Sequence, residues 1–73
     1  MTERTLKVTS AEIATIRLAL QGWAVRCDRE ERTMRELAQN YEHDPETRAR
    51  CFANADASSR FASEARQTLA RMP

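Results

Sequence analysis

NYEHDPE, residues 40–46, is the stretch on which the fold turns. Asp44 offers a side-chain acceptor to the orphan N–H groups that open a helix. Pro45 then takes the first helical position, where a missing N–H costs nothing. Glu46 adds a negative charge at the positive end of the helix dipole. A helix therefore starts at about 45 and is expected to run to about 71.

Working backwards, no proline precedes Pro45, so an upstream helix can reach about residue 40. Its start is written in Thr9-Ser10-Ala11-Glu12. This is a capping box, in which the Thr hydroxyl and the Glu carboxylate each satisfy a backbone N–H of the other residue. Val8 and Ile13 stand at the positions of a hydrophobic staple. The connection left over, 41–44, is short, and short connections make antiparallel neighbours. The expected fold is all-α: an antiparallel two-helix hairpin, with helix 1 over about 10–40 and helix 2 over about 45–71. Upstream, residues 1–8 form an arm. Thr5-Leu6-Lys7-Val8 alternates like a strand but is too short to stand alone. It is read as a disordered arm, or as an edge that pairs with another chain.

Composition agrees with helix. The 73 residues hold twelve alanines, one glycine and two prolines. They make a single domain, 1–73, and one core this small rarely supplies more than about 3–5 kcal/mol. Small chains therefore lean on disulfides, metals or a partner subunit. Twelve basic residues almost cancel eleven acidic ones. That balance argues against a nucleic-acid coat protein and against an acidic DNA mimic. Eleven of the twelve basic residues are Arg, a bias read as genome composition ahead of Arg-mediated recognition. No apolar run approaches the roughly 20 residues that span a bilayer. The first residues lack an apolar signal core, so the expected setting is the cytoplasm, with both cysteines as thiols.

Helix 1 carries an apolar stripe at heptad spacing: Ile13, Ile16, Leu20, Trp23, Cys27, Met34, Leu37 and Tyr41, broken by Glu30. Helix 2 answers with Cys51, Ala55, Ser58, Ala62, Ala65, Leu69 and Met72. Folding the chain at Glu42-His43 sets Trp23 level with Ala62, Leu20 with Ala65 and Ile16 with Leu69. Large residues on helix 1 then mostly face small ones on helix 2, as a packed core needs. Cys27 falls about ten ångström from the level of Cys51, beyond disulfide reach. Glu30 is read as a side chain that snorkels to water where the seam opens, or as the partner of an Arg across a dimer.

One seam does not use all the apolar surface. Leu18 and Val25 lie opposite it, Ala11 and Ala14 extend that face, and Gly22 leaves it flat. Gly22 is read as a place where another backbone comes close. Phe52 or Phe61 joins this surplus, since one seam does not easily hold both. A helix apolar nearly all round is normally covered on more than one side. The expectation is a homodimer, two hairpins closing into a four-helix bundle, with Ala11, Ala14, Leu18, Gly22, Val25, Phe52 and Phe61 as the dimer or partner face.

Catalytic chemistry finds little to work with. The only His is His43, in the turn, and it lacks a metal-ligand partner at close spacing. A Cys51–His43 nucleophile would have no third group to orient it. Gly22 alone makes no phosphate loop. No catalytic, metal or cofactor site is expected, and both cysteines read as small buried residues. Arg26, Arg29, Arg32, Arg35, Arg48 and Arg50 gather toward the turn end. Acidic residues interleave with them, giving pairs such as Asp28–Arg32 and Glu31–Arg35, the pattern of a solvated helix face. The long helices also lack a short, angled recognition helix.

The functional expectation is therefore a small, non-catalytic, cytoplasmic protein-interaction module that presents a helix face to itself and to an unidentified protein. Its size suits a phage- or mobile-element-type inhibitor or adaptor. The alternatives are a nucleic-acid-associated regulator using the Arg patch, whose binding would weaken steeply with salt, and a thiol or metal switch.

Overall fold

The computed structural model describes residues 7–73. Two helices account for nearly all of them: α1, Ser10–Gln39, and α2, Pro45–Arg71. They pack against each other along their length, and no strand forms among the described residues. The N-terminal arm expected over 1–8 lies mostly outside the described residues; Lys7 and Val8 have no regular structure.

Both helix starts are built as their chemistry requires. The Thr9 hydroxyl accepts from the Glu12 N–H at 3.1 Å, and the Thr9 N–H donates to the Glu12 carboxylate at 3.1 Å. The Thr9 N–H bond above all, with the nearby Thr9 hydroxyl adding to it, holds the Glu12 carboxyl below its ordinary value. At α2, the Asp44 carboxylate accepts from the Thr47 N–H at 3.2 Å and from the Thr47 hydroxyl at 2.8 Å, with Pro45 at the first position. Its pKa falls for the same reason, the hydroxyl bond counting most. Between the helices the chain reverses through two backbone bonds. Tyr41 N–H donates to Ala38 C=O at 3.2 Å, and Asp44 N–H to Tyr41 C=O at 3.0 Å.

The seam between the helices is made of small side chains. Ala24, Cys27 and Ala38 are buried on α1, and Cys51, Ala55, Ser58, Ala62 and Ala65 on α2. The largest fully buried side chain is Cys27. This corrects the heptad reading of α1. Leu20, Met34 and Leu37 are half-buried and Cys27 is buried, as that reading has it, but Ala24 and Ala38 are buried too, whereas Trp23 and Glu30 are exposed. Ile16 and Trp23 stay 41% and 43% exposed. Two stripes with the same alternating spacing overlap on this helix, one residue apart at every second position. Close packing selects the one with Ala24 and Ala38, because facing Ala55, Ala62 and Ala65 with further small groups lets the helices approach. An indole in the middle would wedge them apart. Glu30 consequently breaks nothing: it is exposed beside the seam.

The molecule measures 52 × 29 × 14 Å. Its least dimension is little more than one helix, about 10–12 Å with side chains. The hairpin is thus a plate one layer thick, with two broad sides.

Candidate interaction surfaces

The two broad sides carry opposite chemistry. On one, charged residues of the two helices clasp each other across the seam. Arg66 reaches Asp28 with both terminal nitrogens, and Arg35 joins Glu31 at 3.0 Å and Asp56 at 3.2 Å. Arg17 closes the far end on the carbonyl of Pro73. The Arg66 bond holds the Asp28 carboxyl below its usual range, and Glu31, then Asp56, push the Arg35 pKa up. Each cross-helix partner lies C-terminal of the position that a fold at Glu42-His43 makes level with its counterpart. The cause is general: Cα–Cβ bonds lean towards the helix N-terminus, so antiparallel partners converge from beyond one another.

The other side is apolar. Trp23 of α1 and Phe61 of α2 meet with ring centroids 6.3 Å apart and planes tilted at 49°. Ile16 lies two turns before Trp23 on the same strip of α1. All three rims of this patch face water, Phe61 at 47% exposure. Ala19, Gly22, Trp23 and Arg26 bound a shallow depression beside it.

The back of α1 forms a third surface. Leu18 is 70% exposed, and with Gln21, Gly22, Val25, Arg26 and Arg29 it lines an open depression. Ala11 and Ala14 are exposed as well. The phenylalanines do not join this surface as a group. Phe61 belongs with Trp23 across the apolar side, and Phe52 sits under the Arg48 guanidinium, 5.5 Å from ring centre. A Cβ placed on Gly22 would meet no atom of this chain within 4 Å, so no backbone of its own fold comes close there.

The arginine cluster is partly engaged. Arg35 is held by two carboxylates and Arg48 by the Phe52 ring. Arg26, Arg29, Arg32 and Arg50 make no ion pair among the described residues. Of the expected pairs within α1, Glu31–Arg35 forms, whereas Asp28 turns to Arg66 instead of Arg32. The cross-helix pairs were not legible in one helix at a time. They needed the hairpin register together with the lean of the side chains.

Both cysteines are free and buried. Burial pushes the Cys27 thiol up, with the Glu30 and Asp28 charges adding to it, which leaves less thiolate to react. Among the described residues no three of His, Cys, Asp and Glu gather into a metal-holding group, and neither helix is long and apolar enough to cross a membrane. In comparison with known proteins, the chain matches no family model, no curated protein and no solved structure.

Proposed function

We propose that this chain is a non-catalytic protein-interaction module that completes its hydrophobic core by associating through helix faces, two hairpins forming a four-helix bundle. One observation carries the reading. The buried residues of the hairpin are all small, with larger ones such as Leu20 and Met34 only half-buried, while Ile16, Leu18, Trp23, Val25 and Phe61 are each more than two-fifths exposed. A seam of methyls and thiols gives little hydrophobic driving force, about 0.8 kcal/mol for each buried carbon, and large apolar groups left at water are where further burial is available. The two buried thiols suit a reducing, cytoplasmic setting. A second protein on the back of α1 would add a function to this assembly.

The test is a pair of measurements on the full chain: sedimentation equilibrium over a wide concentration range, and thermal melts at each concentration. The expected result is a dimer whose melting temperature climbs as protein is added, because association stabilises by mass action. A monomer that melts cooperatively at one temperature throughout would show the hairpin complete in itself and overturn the proposal.

A further inference from the structure

We infer that a second copy of this chain docks on the Ile16–Trp23–Phe61 side of the hairpin, face to face, with Arg26 of each copy meeting Glu64 of the other. The inference rests on the self-association reading above and identifies the surface and the contacts.

Three observations converge. The first is that only one broad side is open. The Asp28–Arg66 and Arg35–Asp56 pairs already close the seam on the opposite side with charges bound to each other, whereas Trp23 and Phe61 contact each other and still present their outer edges to water.

The second is area. The chain exposes 6215 Å², against about 4600 Å² for a compact monomer of its 8.4 kDa mass. The surplus exceeds the roughly 800 Å² that each partner contributes to a standard interface.

The third is charge. Arg26 follows Trp23 by three residues and Glu64 follows Phe61 by three, so each charge flanks its aromatic on the same helix surface. Neither forms an ion pair among the described residues. They stand two residues before Asp28 and Arg66, the pair that clasps the other side. In antiparallel helices those two steps run in opposite directions along the axis, about 3 Å each, so Arg26 and Glu64 lie about 6 Å nearer to level than that pair. Two residues also turn a helix by about 200°, which carries both charges towards the open side.

A two-fold axis running along the helices lays α1 of one copy over α2 of the other, antiparallel and level. Trp23 then covers the partner's Phe61, and Arg26 comes opposite the partner's Glu64. Symmetry supplies the same contacts twice. Such flanking pairs set partner and register in helical bundles. The back of α1 is the poorer site for a second copy. Its depression is edged by Arg26 and Arg29 with no acidic residue among its lining, so self-docking would crowd like charges together.

Charge exchange tests this. Dissociation constants are measured by sedimentation for wild type, Arg26→Glu, Glu64→Arg and the double exchange, with Leu18→Glu/Val25→Glu as the control on the back of α1. Each single reversal is expected to weaken the dimer about tenfold or more, the double exchange to recover most of that loss, and the control to leave the constant unchanged. Dissociation by both singles without recovery in the exchange would overturn the pairing. If wild type is a dimer that only the control dissociates, this face is wrong while the self-association reading stands. If wild type is a monomer throughout, the self-association reading fails and this inference falls with it.

Discussion

The two broad sides of the hairpin are made by the same two helices and solve the same problem differently. On one side, Asp28, Arg35, Asp56 and Arg66 tie α1 to α2 with charges that stay at the solvent surface. On the other, Ile16, Trp23 and Phe61 cover the seam with apolar groups that remain half in water. The first side is the more nearly finished: the charges that bridge its seam have partners, and Arg32 and Glu36 beside them are left to water. The second is unfinished, because an exposed aromatic gains only when something further excludes water from it. The contrast teaches that a two-helix plate has its seam as its interior and a choice of chemistry for each rim.

Four substitutions can break or sharpen that contrast. The largest effect belongs to the seam both sides share. Ala55 is fully buried against α1, so Ala55→Leu forces the helices apart and should cost about 1–3 kcal/mol by chemical denaturation; an unchanged midpoint would mean the seam is looser than described. Next comes the apolar side. Trp23→Ala removes the contact with Phe61 and should cost about 1–2 kcal/mol. That loss should grow with protein concentration if a second copy covers the ring. Gly22→Ala follows, with the opposite sign. The added methyl meets open space, so the helix should gain up to about 1 kcal/mol, read as a rise in melting temperature. A fall would place another backbone against Gly22.

The smallest effect lies on the ion-paired side. The Asp28 carboxyl is held below its ordinary value by its bond to Arg66. The folded state therefore binds its proton less readily than the unfolded chain. The resulting stabilisation is present above the ordinary carboxylate range and is lost as pH falls below about 4 and through the lowered value. Asp28→Asn should flatten that part of the acid limb, lowering stability near neutral pH by the small amount that an exposed pair contributes and matching wild type at low pH. Salt at about 1 M should mute the wild-type effect, since exposed pairs are screened. An acid limb identical in wild type and Asp28→Asn would show that the pair contributes nothing measurable.

Much of this architecture is legible in short-range chemistry. Thr9 and Glu12 announce the start of α1, Asp44 and Pro45 that of α2, and both helices begin where those residues put them. Capping is readable because donor and acceptor lie within a single turn. The far ends fall near Gln39 and Arg71 with similar ease, the chain reversing between them with no room for another element. The inward strip of α1 was harder. Hydrophobicity alone picks Ile16 and Trp23, since size and apolarity normally go together in a core. The candidate face of Leu18 and Val25 was readable as apolar, yet its separation from Phe61 was not, because that depends on how α2 is rotated about its own axis.

Local bonding along the chain thus decided the two helices, their limits and the antiparallel turn between them, for each rests on groups a few residues apart. The rotation of each helix was decided only when the two came together. Close approach rewarded Ala24, Ala38, Ala55 and Ala62 inside and sent Trp23 to the rim beside Phe61. That choice is a property of the pair, since the packing energy of a small side chain depends on what its neighbour helix brings against it.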